Sequence, residues 1–441
     1  MLTRTQLNSI MGDFRDFLCI GLPEETVDEK LESVKLSLAL KFLKSSNMKK
    51  RLTGINEIKG IVEATGNRGM KTNSWHDDSP RQASRWLKPE YLVKWINENQ
   101  LIEYILGDSS HVEVIKRSSS VLIFLSDNGQ LTKDHLDLLW KSLENKHEAT
   151  VLGVFETINE IAGALDQKSL DYIFLKIESM PIKKYNEQTV KFVKEFTVKA
   201  FGVSKNSMSG DIVDLSSDND DEDCKINEFY VENAKGIIID GDVDQPQIEV
   251  PEYGLPVLFE ISMQSTELGT STLQEFIDMM KLRNSDSFRA IYILKCIKNL
   301  VNGVAVYQSI SVLRSIFKRT FNFRSFEVQL SPENAMIKLD AQFNFINLII
   351  ENIERYNTLV QKSMVDSVNK GEIPENISKT KFEGNVTHSS QLESLLDFIE
   401  YIITTSNNEI SIGTQNIQKL WNIFVNASSI EFDKNHFFKW L

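Results

Sequence analysis

Apolar side chains recur along this chain at i, i+3, i+4 and i+7, the spacing that gathers them on one face of an α-helix. Leu136, Leu139, Trp140 and Leu143 fall in this pattern, followed by Val151, Val154, Phe155 and Ile158, then Leu170, Ile173, Phe174 and Ile177. The same spacing returns in Ile293, Cys296, Ile297 and Leu300, and again in Ile346, Ile349, Ile350 and Ile353. Two later quartets are Leu392, Leu395, Leu396, Ile399 and Ile417, Leu420, Trp421, Phe424. Short polar breakers such as Asp127-Asn128-Gly129, Asp166-Gln167 and Asn284-Ser285-Asp286 separate the runs. Thr132 and Asp166 precede runs and suit helix N-caps, where a side-chain oxygen accepts an otherwise unpaired backbone N–H. The pattern predicts a succession of short amphipathic helices.

Each such helix must bury its apolar side against neighbours. A compact bundle and a stacked solenoid both do this, and the number of helices favours the solenoid, although no clean repeat period stands out. The expected fold is therefore all-α: an armadillo/HEAT-like helical-repeat solenoid in two blocks joined by an acidic, disordered linker. The divisions are an N-terminal segment 1–30, a first block 31–203, the linker 204–254, and a second block 255–441. Segments 66–83 and 362–390 are polar and without period, and read as long loops or disordered insertions. Ile237 to Ile239 could dock as one short strand. The last residues, FDKNHFFKWL, keep a helical pattern without a stop signal, which suggests truncation within the repeats.

Charge sharpens the division. The chain has 441 residues and a net charge of −13. Residues 208–252 contain 14 acids against two lysines, Lys225 and Lys235, and the remainder is close to neutral. The acidity belongs to that one segment, which is too polar to offset its ordering entropy. The longest apolar run, Val121 to Leu125, is far short of the ~20 residues of a membrane span. Three separated cysteines, Cys19, Cys224 and Cys296, point to a reducing compartment, cytoplasmic and/or nuclear.

Candidate chemistry is sparse. No Gly-rich phosphate cradle, zinc-type spacing or calcium loop occurs, so no cofactor or metal is expected. The basic clusters Lys49-Lys50-Arg51 and Lys183-Lys184 sit on a neutral background and read as solvated helix faces, so no nucleic-acid partner is expected. Neither a membrane nor a small-molecule substrate is expected. Cys19 and Cys296 sit in apolar runs, and Cys224 follows an acidic run that would raise its pKa. His111 and His135 stand near helix starts, His147 lies in the KHEATV turn, and all three read as packing or capping residues.

Two features point to partner binding instead. Ile212, Val213, Asp214, Leu215, Ser216 and Ser217, followed by a run of acids, look like a SUMO-interaction motif. Such a segment adds a strand to an exposed sheet edge, with aliphatic side chains in a groove and acids facing a basic rim. Trp86, just ahead of the helix that starts near Pro89, is a candidate exposed anchor, whereas Trp140 and Trp421 are expected to point into the core.

The stretch 84–151 carries a resemblance. LKPEYLVKWINENQLIEYIL, HVEVIKRSSSVLIFL and LTKDHLDLLWKSLENKHEATV, with Trp140 and the Lys146-His147-Glu148 trio, carry it. It resembles the non-catalytic, armadillo-like helical region near the N-terminus of the very large ubiquitin-specific proteases of the fat-facets type. The likeness runs over roughly 47–180 and is weaker over 270–360. It implies a scaffold that presents ubiquitinated substrates or other proteins to a catalytic domain elsewhere in a cysteine-type ubiquitin carboxyl-terminal hydrolase. That family's Asn/Gly-rich Cys-Tyr box and its Gly-His-Tyr box are both absent here, so the chain alone is expected to be inactive. The alternative is a free-standing armadillo-like adaptor unrelated to ubiquitin.

Overall fold

A computed structural model describes residues 4–66, 87–107, 110–144, 146–208, 252–282, 288–319, 332–370, 376–428 and 430–441. Among the described residues every regular element is a helix, and no strand occurs. Two compact units result, one of Met1–Met180 with Glu195–Ser209, the other of Pro181–Lys194 with Gly210–Leu441. The segments 67–86 and 209–251, which include most of the loop 66–83, most of the acidic stretch and Ile237 to Ile239, lie outside the described residues.

The first unit opens with α1 (Arg4–Cys19), α2 (Glu24–Leu43) and α3 (Met48–Thr65). Asn47 caps α3 by accepting from the Lys50 amide. The connection between α2 and α3 is short, so the two helices pack side by side, and Gly54 lets them approach closely. A Cβ at Gly54 would come within 2.6 Å of the Ala39 carbonyl oxygen and closer still to the Leu43 amide. After α4 (Pro89–Glu98), α5 (Leu101–Leu106), α6 (Val112–Ile115) and α7 (Ser119–Asp127), the unit continues with α8 (Lys133–Lys141), α9 (Glu148–Ala162) and α10 (Gln167–Glu178). Thr132 and His135 form a reciprocal capping box at α8, and Asp166 caps α10 by accepting from Ser169 N–H. Both caps match the sequence pattern. Helices are also tied across the stack by side chains that reach foreign carbonyls. Ser126 Oγ donates to Ala164 O at 2.7 Å, and Ser142 Oγ to Leu106 O at 2.9 Å.

Residues of α11 (Glu187–Met208) fall in both units, and the second unit goes on with α12 (Leu255–Ser262), α13 (Glu267–Met280), α14 (Arg289–Asn302) and α15 (Val306–Arg319), then α16 (Pro332–Phe343) and α17 (Phe345–Lys370). It ends with α18 (His388–Thr405), α19 (Thr414–Trp421), a π turn at Asn422–Asn426, and α20 (Glu431–Trp440). A cluster of three rings, Phe259, Phe276 and Tyr292, with centroids 5.0–5.4 Å apart, fills the seam between α12, α13 and α14. The Arg289 guanidinium is buried and donates to Met280 O and Leu282 O, which satisfies carbonyls left open where α13 ends.

Two expectations need correction. The segment 362–390 is not one long loop: α17 runs on to Lys370, and α18 already begins at His388. Nothing between Gln361 and Lys370 breaks a helix, and the first glycine is Gly371. Propagation from the buried part of α17 therefore continues into solvent, leaving Val365 and Val368 more than half exposed. The second correction concerns tryptophan. Trp140 is only half-buried and Trp421 is 42% exposed, whereas Leu139 and Leu420, one residue earlier, are each 1% exposed. One residue is about 100° of helix rotation, enough to move a side chain from the seam to its rim.

Candidate protein-binding surfaces

Trp86 and the motif Ile212, Val213, Asp214, Leu215, Ser216 and Ser217 lie outside the described residues. His111 accepts from Glu113 N–H through Nδ1 at 3.2 Å, and His135 completes the cap with Thr132, so both act on their own helix starts. His147 occupies the N-cap of α9. Cys296 is fully buried, and burial pushes its thiol pKa up, which disfavours the thiolate a nucleophile needs. Among the described residues no group of three His, Cys, Asp or Glu side chains could hold a metal ion.

A polar network that the sequence does not reveal lies inside the second unit. His388, Asp433 and Tyr356 are 1%, 2% and 4% exposed. His388 Nε2 stands 2.6 Å from Asp433 Oδ1, and His388 Nδ1 stands 3.0 Å from the Tyr356 hydroxyl. A carboxylate only accepts, so Nε2 carries a proton toward Asp433 and Nδ1 can accept from the tyrosine. Burial, with the Glu383 and Asp433 carboxylates, raises the Tyr356 pKa, so that hydroxyl keeps its proton. Ser428 Oγ donates to the second Asp433 oxygen at 3.4 Å, and Gln361 reaches Ser428 in turn. The rings of Phe382 and Phe432 enclose the imidazole. Three helices, α17, α18 and α20, are thereby tied together by buried side chains. Asp433 and Tyr356 occupy both ring nitrogens of this histidine, and among the described residues no Ser or Cys side chain is bonded to it, so the arrangement acts as a structural lock.

Further along the same helices the surface turns apolar. A groove of about 260 Å³ lies between α18, α19 and α20, floored by Ile403, Leu420 and Phe437 and edged by Glu400 and Trp440. Trp421 and Phe438, each the next residue after a lining side chain, are 42% and 49% exposed, with ring centroids 5.8 Å apart in an edge-to-face contact. In the first unit, Ile10, Phe14, Phe17 and Ile20 are all exposed, the first three at i, i+4, i+7 on α1. Exposed aromatics grouped this way are the chemistry of protein contacts. Periodicity places Trp421 on the apolar side of its helix without saying whether a neighbour covers it.

A sequence model of the UBP24/USP9X/USP9Y ARM repeat matches residues 29–194 and 260–441. The chain belongs to that family. The two matched stretches take in most of the helices in both units, so these are ARM repeat helices. Similar proteins carry hydrolase names. Probable ubiquitin carboxyl-terminal hydrolase FAF of Drosophila melanogaster is 17% identical over 426 residues, which cover 95% of this chain and 14% of that protein. Ubiquitin carboxyl-terminal hydrolase 9X of Mus musculus is 27% identical over 152 residues, 34% of this chain and 6% of that protein. Ubiquitin carboxyl-terminal hydrolase 34 of Homo sapiens is 25% identical over 181 residues, 40% of this chain and 5% of that protein. This ARM repeat chain thus spans only a small part of the length of its relatives. Among the described residues no helix is long and apolar enough to cross a membrane.

Proposed function

We propose that the chain is the non-catalytic, partner-binding scaffold of a cysteine-type deubiquitinase, and that the whole enzyme removes ubiquitin from proteins held on its helical surfaces. The observation that carries this reading is the apolar groove and, on the same two helices, the exposed Trp421–Phe438 pair, set in a unit matched by the ARM repeat model. A rigid helical stack offers such a surface at little ordering cost, because its side chains are already fixed by their neighbours. The buried Cys296 thiol and the capping roles of His111 and His135 fit a region that binds and does not cleave.

The test compares a longer hydrolase containing this region with a version lacking it. Removal of ubiquitin from a protein substrate should slow by about tenfold or more, while cleavage of a ubiquitin–fluorophore stays unchanged, since only binding of the substrate protein is lost. Equal loss on both substrates, or on neither, would remove the scaffold reading. A protein that carries these repeats with no hydrolase activity at all would instead be the free-standing adaptor. The isolated chain should not label with a ubiquitin activity probe, and labelling lost on Cys19→Ala, Cys224→Ala or Cys296→Ala would overturn that.

A finer part of the proposal rests on sequence alone. Ile212 to Ser217, with the acids after it, is read as a segment that pairs with SUMO, and Trp86 as a further contact. The three well-separated cysteines support a reducing site of action, cytoplasm or nucleus.

A further inference from the structure

One surface of the first unit stands out by charge. Residues 41–51 read KFLKSSNMKKR, five cations with no acid among them. They form the end of α2, the short connection and the first turn of α3. Lys44 Nζ and the Arg51 guanidinium carbon each lie 5.9 Å from the centre of the Tyr104 ring on α5. Cations from two helices therefore converge on one aromatic side chain. The Tyr104 hydroxyl donates to Leu43 O at 3.2 Å, which fixes that ring against the end of α2. Lys41, Lys44, Lys49 and Lys50 are exposed, and among the described residues none of the five cations pairs with an acid. Arg51 Nε is buried and has no hydrogen-bond partner among the described residues.

Helix stability explains only part of this cluster. Lys41 suits the negative C-terminal end of α2. Lys49, Lys50 and Arg51 sit at the positive N-terminal end of α3, whose first turn contains no acid. There each cation is disfavoured by the helix dipole and by its neighbours. A ligand with several negative charges would relieve both.

We propose that the α2–α3 turn binds a carboxylate-rich peptide segment of a partner protein. The cations span a single helix–helix turn and form no stripe that could follow a nucleic-acid backbone. Tyr104 is already engaged by two cations and by its own hydrogen bond, so it is not open to stack a base. An extended acidic peptide fits the compact geometry, with successive carboxylates meeting Lys44, Lys49 and Lys50 while one reaches toward Arg51. Exposed ion pairs are individually weak and are screened by salt, so several must form together. The inference rests on the protein-binding role proposed above.

The test titrates the full chain into a fluorescein-labelled peptide of alternating Glu and Ser residues and follows anisotropy at low salt. Saturable binding is expected, with a Kd on the order of 10–100 µM. K44E/K49E/K50E should weaken it by about tenfold or more, K44Q/K49Q/K50Q by less, and K183E/K184E not at all. Circular dichroism checks that each variant keeps its helices, and the Gln variant serves if the Glu variant does not fold. Unchanged affinity in both triple variants would overturn the proposal. So would tighter binding of a labelled oligothymidylate or of phosphatidylserine vesicles than of the peptide. A gain in affinity on deleting residues 211–223 would make this chain's own acidic run the occupant and overturn the partner assignment. A chain that fails here yet passes the substrate test above loses this surface and keeps its proposed role.

Discussion

His388 Nε2 and Asp433 Oδ1 lie 2.6 Å apart in a part of the second unit where both side chains are almost wholly buried. They are 45 residues apart in sequence, and their bond fixes the last helix, α20, against α18. A buried carboxylate without its donor is costly, so His388→Phe should lower stability by about 3–5 kcal/mol, even though phenylalanine fills the same aromatic cage. Adding Asp433→Leu removes the stranded charge and should recover part of the loss. Urea unfolding followed by tryptophan fluorescence measures both. A double variant no more stable than the single one would show that the carboxylate is not what the histidine supports.

Close helix approach at Gly54 makes a second, local prediction. Gly54→Ala puts a methyl group against the backbone of Ala39 and Leu43, which cannot yield as a side chain can, and should cost about 1–3 kcal/mol. Gly60, on the same helix, has open space where its Cβ would be. Gly60→Ala should therefore stabilise by about 0.5–1 kcal/mol through helix propensity. Thermal melts that rank the two alike would mean that α2 and α3 are not in close contact.

Depth of burial separates two neighbours on α8. Leu139→Ala should cost about 2–5 kcal/mol, because the side chain is 1% exposed and leaves a cavity. Trp140→Ala should cost less despite the larger side chain, since the half-buried indole gives up contacts only on one side. A larger loss at Trp140 in chemical denaturation would place the indole in the seam.

Cys296 supplies a prediction about pH. Burial raises its thiol pKa, so the thiol form persists in the folded chain well above the pH at which a free cysteine ionises. At about pH 8, where exposed thiols react readily, Cys296 should resist alkylation until denaturant is added. Peptide mapping after iodoacetamide treatment reads this directly, with the partly exposed Cys19 as the internal reference. Native labelling of Cys296 comparable to Cys19 would refute the burial.

The SUMO proposal is tested on a peptide spanning 208–226. Weak binding is expected, with a Kd on the order of 10–100 µM, because a short strand offers few apolar contacts and must be ordered first. Replacing Ile212, Val213 and Leu215 by Ala should abolish it, since those side chains would fill the groove. Removing the acids from Asp220 to Asp223 should weaken it and flatten its salt dependence. An NMR titration of labelled SUMO without chemical-shift changes at millimolar peptide would leave this stretch a solvated acidic loop.

Features under the control of short-range chemistry can be read from the chain alone. Apolar spacing marks one side of each helix, and the caps at Thr132 and Asp166 act across three residues, so both are legible without a fold. The side chains of 84–151 likewise pointed to the ARM repeat family, because a repeated helix-packing solution leaves its residues in order along the chain. Tertiary structure alone decided how deep each apolar residue lies. Leu139 and Trp140 share a face by periodicity, yet the neighbouring helices bury one and leave the other at the rim. It alone showed that Trp421 and Phe438 face solvent, that His388 meets Asp433 and Tyr356, and that Lys44 and Arg51 converge on Tyr104. Each of these joins residues from different helices, whose separation in space is set by packing and not by spacing along the chain.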